Sequence, residues 1–350
     1  MPEEIITYAH TKFYINYLQF VKTQEMSGVD KIHVIWLPGQ ACTGCTVSLL
    51  NASHPSVLDL LTGFIPQAAG VTLDYHATIM LPWGEEALEA VNSAEKGELG
   101  PFVLVLEGSI PDESTARQNG GYWCVIGEDE EGNPVTFTER VERLAKNAAA
   151  IVSAGTCASF GGIPSGKPNP TGAKGALDYF GRNWKSALGI PIVTVPGCPS
   201  HGEHLAEVLA YAVLAIRGYL PLPELDEHHR PMFLFGLTAH DNCPRAGLMG
   251  DGKNSKEFGE PYCMGLLGCK GPISHCDVPK RGYVEGVGGC PSIGSPCIGC
   301  TEPEFPDPPL SPFLEKAPWQ VFLAEKIRGI GGGLEAAIDR INKTFSGRKI

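Results

Sequence analysis

One short segment limits the fold of this chain more than any other. Residues 31–37 (KIHVIWL) form a mostly apolar run typical of a buried parallel strand, and a Pro-Gly turn follows. Next come Cys42 and Cys45, before a helix-compatible run over residues 46–62 that is broken at Pro55. Functional groups of open α/β sheets collect where strands end and helices begin, and a helix N-terminus favours thiolate over thiol. We therefore expect this cysteine pair to carry chemistry.

Strand and helix patterns alternate after this segment. Strand-like runs occupy residues 71–75, 102–106, 150–154 and 190–195. Helical patterns occupy residues 85–94, 137–148, 172–186 and 203–218, and Thr136 is expected to cap the second of these helices. The alternation predicts an α/β fold with a doubly wound, largely parallel sheet between about residues 31 and 220.

Further cysteines follow the later strands, each close to a glycine. Because the carboxyl ends of parallel strands meet at one edge of a sheet, Cys42, Cys45, Cys157 and Cys198 are expected to converge. Four converging thiolates suit a [4Fe–4S] cluster, and the glycines let the backbone approach a bulky group. A structural zinc site on the same four cysteines is the alternative, which is disfavoured because such sites usually draw on two local pairs of ligands.

The chain changes character at Pro221, and the polar run over residues 224–229 is interpreted as a linker. The segment beyond it is rich in glycine and proline and contains eight candidate metal ligands: His240, Cys243, Cys263, Cys269, Cys276, Cys290, Cys297 and Cys300. A loop-rich segment of this kind is expected to fold around inorganic centres, and eight ligands suffice for two clusters. The predicted organisation is an N-terminal extension (1–30), an α/β domain (31–220) and a C-terminal domain (221–350).

Both ends of the chain carry helical patterns. Aromatic and aliphatic residues recur at helical spacing over residues 13–21, which predicts a helix packed on its own domain or on a partner. A membrane-surface helix is the alternative, although its polar face has only two lysines. The runs 313–324 and 331–343 are also predicted to be helical.

Composition excludes several classes of function. The net charge of −12 argues against nucleic-acid binding, which needs a basic face. No apolar run reaches the length of a membrane span, and no export signal is evident. We therefore expect a cytoplasmic protein, with peripheral membrane association left open, whose twelve cysteines serve as metal ligands rather than disulfides. No nucleophile–base or acid–base pair is evident, so no catalytic side chain is expected.

Several linked motifs add a more specific signal. They are Cys42-Thr-Gly-Cys45, Glu107-Gly-Ser-Ile-Pro111, Gly155-Thr-Cys157, Gly161-Gly-Ile-Pro164, Asn169-Pro-Thr-Gly172, Pro196-Gly-Cys198-Pro199, His240-Asp-Asn-Cys243-Pro-Arg245, Cys269-Lys-Gly-Pro272 and Pro296-Cys-Ile-Gly-Cys300-Thr-Glu-Pro303. Because these motifs occur in this order, the chain resembles the small, electron-transferring subunit of nickel–iron hydrogenases over about residues 31–310. Each motif alone is weak, but the ordered set is very specific.

The resemblance implies a flavodoxin-like N-terminal domain and a loop-rich iron–sulfur C-terminal domain. It implies a proximal [4Fe–4S] cluster on Cys42, Cys45, Cys157 and Cys198, and a distal [4Fe–4S] cluster on His240, Cys243, Cys263 and Cys269. In this family hydrogen is split at a NiFe centre in a separate large subunit. The electrons then pass through three clusters of the small subunit to a redox acceptor protein or a quinone-linked partner. An oligomer of heterodimers is expected.

The medial cluster departs from the pattern of many relatives, which have three cysteines and a proline there and hold a [3Fe–4S] cluster. In this chain Cys276, Cys290, Cys297 and Cys300 supply four thiols, so we expect a [4Fe–4S] medial cluster, with [3Fe–4S] and a spare thiol as the alternative. Cys124 lies near the position of an extra proximal cysteine in oxygen-tolerant relatives. Three interpretations of its role are kept: a thiol beside the cluster, a ligand to the cluster that forms on oxidation, or a buried side chain without a function.

Three rival functions account less well for the positions of the cysteines and the length of the chain. A quinone-reductase subunit of the same ancestry needs only the proximal cluster, so residues 240–300 argue against it. A structural zinc-binding interaction module predicts a colourless protein, whereas iron–sulfur clusters predict a brown one. A standalone ferredoxin-like carrier is disfavoured by the length of the chain. Glu107, an acid in one of the family motifs, is interpreted as holding its loop rather than as part of a proton path.

Overall fold

The computed structural model describes residues 31–62, 70–284 and 286–307. The helices predicted over residues 13–21, 313–324 and 331–343 lie outside this part of the chain. Within the described residues, no helix combines the length and the apolar character that crossing a bilayer requires.

The strands form one parallel sheet and one hairpin. They are β1 (Ile32–Pro38), β2 (Val71–His76), β3 (Phe102–Glu107), β4 (Val125–Glu128), β5 (Pro134–Thr136), β6 (Ala150–Ala154) and β7 (Val193–Val195). The parallel sheet has the order β2-β1-β3-β6-β7, whereas β4 and β5 pair with each other in antiparallel fashion. Without the hairpin this is the 2-1-3-4-5 order of flavodoxin-like folds. The predicted doubly wound α/β fold is confirmed.

The helices cover both faces of the sheet. They are α1 (Gly44–Leu50), α2 (Val57–Leu61), α3 (Gly84–Glu95), α4 (Glu113–Gln118), α5 (Phe137–Ala145), α6 (Gly155–Phe160), α7 (Gly162–Ser165), α8 (Ala176–Phe180), α9 (Gly202–Ile216), α10 (Met232–Phe235), α11 (Ala246–Gly250) and α12 (Val278–Arg281). Trp36 and Val105 pack with Leu205 on one face, while Leu104 packs with Phe137 on the other. Strand β3 (FVLVLE) is buried along its whole length, as expected of a parallel strand covered on both faces.

Local sequence explains where several elements begin and end. Thr136 caps α5, as predicted, and forms a capping box with Glu139. The predicted helix over residues 172–186 is wrong in extent, because only α8 forms, between turns at Gly172 (φ 59°) and Gly181 (φ 85°). The strand predicted over residues 190–195 shortens to β7 because Pro191 has no N–H for the ladder.

The polar run after α9 is held against the sheet. The backbone N–H of Thr194 in β7 donates a 3.0 Å hydrogen bond to the carbonyl of His229. The buried guanidinium of Arg230 contacts Oδ2 of Asp226 at 2.6 Å and Oε1 of Glu302 at 2.9 Å. This run is therefore held in place by hydrogen bonds and ion pairs, while its role as a linker between two domains stays a prediction. Beyond it, the described residues form short helices, 3₁₀ turns at Gly265–Leu267 and Gly271–Ile273, and irregular loops.

Candidate metal centres

The turn after β1 places two cysteines side by side. Thr43 adopts a left-handed conformation (φ 60°), and its hydroxyl donates a 2.6 Å hydrogen bond to the carbonyl of Cys42. Helix α1 then begins at Gly44. As a result, Cys42 is exposed at the end of the sheet, whereas Cys45 is buried in the first turn of the helix.

Two later turns face the same edge of the sheet. Cys157 lies in α6, directly after β6, and Cys198 follows β7. A Cβ atom at Gly155 would lie 2.4 Å from the sulfur of Cys45, so only glycine fits between these turns. The backbone N–H of Ser200 donates to the sulfur of Cys45 at 3.4 Å. The predicted convergence of strand ends is thus present in the backbone.

The charges of these four thiols act on one another. Burial, together with the thiolates of Cys198 and Cys42, raises the pKa of Cys157 to about 11. Burial also raises the pKa of Cys198, with the Cys42 thiolate adding to the rise. The pKa of Cys45 is raised strongly by burial and then by Glu107, Cys157 and Cys198, although its hydrogen bond from Ser200 opposes the rise.

The pKa shifts correct the expectation that the helix start favours the Cys45 thiolate, and they agree with metal binding by the four thiols. The start of α1 is expected to favour the thiolate of Cys45, but burial outweighs this effect and raises its pKa. Buried thiols that repel one another as anions need bound cations to stay deprotonated. The chemistry of the donor set therefore fits a positively charged iron core that all four sulfurs share.

Glu107 is a buried acid at the same edge. Its carboxylate accepts hydrogen bonds from the indole N–H of Trp36 at 2.7 Å, from the backbone N–H of Thr46 at 3.0 Å and from the hydroxyl of Thr46. His76 stacks on Trp36, with ring centroids 5.1 Å apart. These contacts tie the end of β3 to α1, in agreement with the interpretation that Glu107 holds its loop.

A second group of candidate ligands forms in the C-terminal segment. The backbone N–H of His240 donates to the carbonyl of Gly271 at 3.0 Å, and that of Cys243 donates to the carbonyl of His240 at 3.0 Å. A Cβ atom at Gly271 would lie 3.4 Å from the sulfur of Cys269. Burial raises the pKa of Cys263, and the Cys269 and Cys243 thiolates raise it further. The four predicted distal ligands therefore come from loops that meet.

The histidine of this group is in the protonation state that metal binding needs. Burial lowers the pKa of His240 below its ordinary value, with the charge of Asp241 opposing the shift. The imidazole is therefore neutral at physiological pH and has a ring nitrogen free of a proton.

The third group contains four buried or half-buried thiols. Burial raises the pKa of Cys276 well above its ordinary value, and the thiolates of Cys300 and Cys297 raise it further. Burial, together with the Cys290 thiolate, raises the pKa of Cys300 to about 12. The charge of Cys290 therefore acts on Cys300, while the charge of Cys269, in the second group, raises the pKa of Cys290 itself.

The groups also contact one another. The backbone N–H of Cys297 donates to the sulfur of Cys269 at 3.3 Å. The backbone N–H of Cys198 lies in hydrogen-bonding reach of the sulfur of Cys300 and lowers its pKa, against the rise from burial. The loop of Cys198 in the first group therefore meets that of Cys300 in the third, and the loop of Cys269 in the second group meets that of Cys297 in the third.

Cys124 has a different environment. It is half-buried after α4, its backbone N–H donates to Oε1 of Glu113 at 3.0 Å, and its sulfur lies 3.9 Å from the carbonyl oxygen of Pro38. Burial raises its pKa to about 11. It also packs against the apolar core, which favours the burial alternative, while a role on oxidation stays a prediction.

A single metal ion and a cluster place different demands on their ligands. Across residues 31–62, 70–284 and 286–307, no three side chains of His, Cys, Asp or Glu converge on a point where a single metal ion would bind. A zinc ion needs its ligand sulfurs within about 2.3 Å of one centre, whereas a cluster spreads its four thiolates around a larger core.

One buried network of ion pairs was not predicted from the sequence. Arg281 contacts Oε1 of Glu207 at 2.5 Å and Oδ2 of Asp277 at 2.9 Å, and Nε2 of His204 lies 2.6 Å from Oδ1 of Asp277. The network joins α9 to the loop that follows Cys276. The four-residue spacing of Asp277 and Arg281 is the sequence pattern that could have indicated this ion pair.

Comparisons with known proteins agree with these observations. A family model described as "NADH ubiquinone oxidoreductase, 20 Kd subunit" matches residues 42–212, and a model of the C-terminal part of the NiFe/NiFeSe hydrogenase small subunit matches residues 235–313. The periplasmic [NiFeSe] hydrogenase small subunit of Desulfomicrobium baculatum is 39% identical over 286 residues, which cover 80% of this chain and 86% of that relative. The quinone-reactive Ni/Fe-hydrogenase small chain of Wolinella succinogenes is 32% identical, covering 90% and 82%. Among solved structures, the actinobacterial-type NiFe-hydrogenase from Ralstonia eutropha H16 has 41% identity and a TM-score of 0.84, with 94% of each chain covered.

A parallel sheet with thiols along one edge, joined to a loop-rich segment with seven cysteines, defines an iron–sulfur electron-transfer protein. The chain belongs to the small subunits of NiFe hydrogenases. Members of this family carry iron–sulfur clusters and form the hydrogenase, an oxidoreductase, together with a large subunit. The resemblance inferred from the motifs is confirmed, and the quinone-reductase and zinc-module alternatives gain no support.

Proposed function

We propose that this protein passes electrons one at a time from the NiFe centre of a large subunit through three cluster sites to an acceptor. The proximal site uses Cys42, Cys45, Cys157 and Cys198; the medial site uses Cys276, Cys290, Cys297 and Cys300; and the distal site uses His240, Cys243, Cys263 and Cys269. When bound, iron–sulfur clusters supply reversible one-electron oxidation and reduction.

The proposal depends above all on the contacts between the three groups of ligands. Cys198 adjoins Cys300, and Cys269 adjoins Cys297, so each pair of successive sites is joined through ligand residues. Such contacts keep successive sites close together. A chain that held unrelated structural metals would not need them.

The ligand types set the expected order of potentials. A fourth medial thiolate from Cys290 adds negative charge and should give a [4Fe–4S] cluster with a lower potential than a [3Fe–4S] cluster. A neutral imidazole from His240 removes one negative charge from the distal site and raises its potential. These ligand effects favour electron flow from the medial to the distal site.

The large subunit is expected to cover the surface around Cys42. This cysteine is exposed, and the neighbouring Val47 and Leu50 of α1 are about half exposed. The Wolinella succinogenes relative is named quinone-reactive, which supports a quinone-linked partner as the acceptor. Several relatives are named periplasmic, so a cytoplasmic location of this protein stays a prediction. The oligomer of heterodimers is likewise a prediction.

The ligand assignment is tested on the complex purified without oxygen through a tag on this chain. We expect about 12 iron and about 12 sulfide per heterodimer beyond the NiFe iron, and no [3Fe–4S] signal in the EPR spectrum of the oxidised complex. The variant Cys290→Ser should lose a medial iron or show a [3Fe–4S] signal, whereas the matched variant Cys124→Ser should leave the spectrum unchanged. A [3Fe–4S] signal in the unaltered complex would contradict the four-thiolate medial site.

A further inference from the structure

Thr156 is a buried residue between two ligand loops of the proximal site. It precedes Cys157 in α6, and its side chain is 1% exposed. Its backbone N–H donates to the carbonyl of Gly197 at 3.0 Å, and the backbone N–H of Gly197 donates to its hydroxyl oxygen at 2.8 Å. This pair of hydrogen bonds fixes the loop of Cys157 to the loop of Cys198.

The same hydroxyl reaches the medial site. As a donor, it makes a short hydrogen bond to the backbone carbonyl of Cys300, which is 144 residues away in sequence. One side chain therefore accepts from the Cys198 loop and donates to the Cys300 loop. A hydroxyl is well suited to this position because it has one proton to give and lone pairs to accept.

The two loops meet at a second point as well. The backbone N–H of Cys198 lies within hydrogen-bonding reach of the sulfur of Cys300. A proposed ligand residue of one site thus contacts a proposed ligand residue of the next. Beside this contact, the hydroxyl of Thr156 is hydrogen-bonded to both loops.

We propose that Thr156 is a positioning residue for electron transfer between the proximal and medial sites, acting through its hydrogen bonds to Gly197 and Cys300. The inference depends on the proposed function. One electron leaves the proximal site, which is oxidised by one electron, and enters the medial site, which is reduced by one electron. No proton moves, and the hydroxyl of Thr156 keeps its hydrogen throughout.

The test compares two substitutions at this position in the anaerobically purified complex. Thr156→Val keeps the shape of the side chain but loses the donor and acceptor, whereas Thr156→Ser keeps both. The matched control is Thr194→Val, since Thr194 is equally buried and its hydroxyl donates to the carbonyl of His228 at 2.7 Å rather than to either ligand loop. Iron and sulfide content are measured first for every variant.

Two readouts follow on variants that keep their iron. The splitting of EPR signals by magnetic coupling between the reduced proximal and medial clusters should weaken in Thr156→Val, and the rate of medial reduction after a hydrogen pulse should fall about tenfold, which corresponds to about 1.4 kcal/mol. Thr156→Ser should restore both, and Thr194→Val should change neither.

The outcomes separate the two proposals. Full iron content with unchanged coupling and rate in Thr156→Val would overturn the role of Thr156 while leaving the relay intact. Equal losses in Thr156→Val and Thr194→Val would also overturn it, because the effect would then be one of general packing. If the unaltered complex holds no iron–sulfur clusters, the proposed function fails first.

Discussion

The indole N–H of Trp36 donates a 2.7 Å hydrogen bond to Oε2 of Glu107, in the interior of the sheet. The two residues lie near the ends of adjacent strands, β1 and β3, and Thr46 of α1 completes the contacts of the carboxylate. Because the charge of Glu107 raises the pKa of Cys45, the carboxylate acts on a proposed ligand of the proximal site. The Glu107 carboxylate therefore holds β3 against α1 and also raises the pKa of Cys45.

Replacing this carboxylate should change the potential of the proximal cluster alone. Glu107→Gln removes a buried negative charge beside Cys45, and so the reduced form, which is more negative, becomes easier to reach and the midpoint potential rises. EPR-monitored redox titration measures this shift. The control Glu142→Gln removes an exposed carboxylate elsewhere and should leave all potentials unchanged. A proximal potential that does not rise in Glu107→Gln would contradict this role.

A second prediction concerns the connection after α9. Arg230 is buried and pairs with Asp226 and Glu302, which is also buried. Arg230→Met leaves two acids without their cation and should cost about 3–5 kcal/mol of unfolding free energy. Urea unfolding followed by tryptophan fluorescence measures the change. Arg117→Met, which removes an exposed ion pair with Glu139, should have no measurable effect, and equal effects of both variants would refute the prediction.

Acidification should weaken the packing around His201. Burial, followed by the charge of His204, lowers the pKa of His201 to about 4, while the unfolded value is about 6.5. Between these two pH values the unfolded chain therefore binds more protons than the folded protein. The stability that depends on a neutral His201 is thus fully present above about pH 6.5 and is lost as the pH falls towards 4. We expect unfolding free energy to drop by about 2 kcal/mol from pH 7 to pH 5.

The variant His201→Gln isolates this effect. Nε2 of His201 donates to the carbonyl of Gly282 at 2.7 Å, and a glutamine amide can make the same hydrogen bond without titrating. Urea midpoints at pH 7 and pH 5 should differ less in this variant than in the unaltered complex. His54→Gln, at an exposed position, should keep the full difference. A pH dependence that His201→Gln leaves intact would assign it to other groups.

Removing the clusters should unfold the C-terminal segment selectively. Among the residues described there, order comes from short helices and turns rather than from a sheet, and burial raises the pKa of Cys263, Cys276 and Cys297. Iron-free protein should exchange the amide hydrogens of residues 240–300 rapidly, while β3 and β6 stay protected. Hydrogen exchange with mass spectrometry measures this contrast. Uniform protection with and without iron would contradict it.

Much of the fold followed from local patterns in the sequence. The apolar runs that became β1, β3 and β6 are typical of strands buried on both faces, and the cysteines after them could be assigned to one edge of a parallel sheet. The limits of α8 were harder to predict, because the apolar pattern continues past Gly172 and Gly181 while the backbone turns there.

The contacts between the ligand groups were not available from pattern alone. Thr156 and Cys300 are 144 residues apart, and Arg230 and Glu302 are 72 apart, so no periodicity links them. The burial of Glu107 was equally hidden, since an acid at the end of a strand is usually exposed. Such long-range pairs follow from how loops stack, which propensity and spacing do not encode.

The most direct test of the central claim uses hydrogen itself. The complex is purified without oxygen through a tag on this chain, its nickel content is measured, and its visible absorption is recorded before and after exposure to hydrogen. We expect a brown complex with about one nickel per heterodimer, whose cluster absorption bleaches under hydrogen and returns when an oxidising dye is added. A brown complex that reproducibly lacks nickel and does not bleach under hydrogen would contradict the hydrogenase assignment, and a colourless protein would contradict the cluster sites themselves.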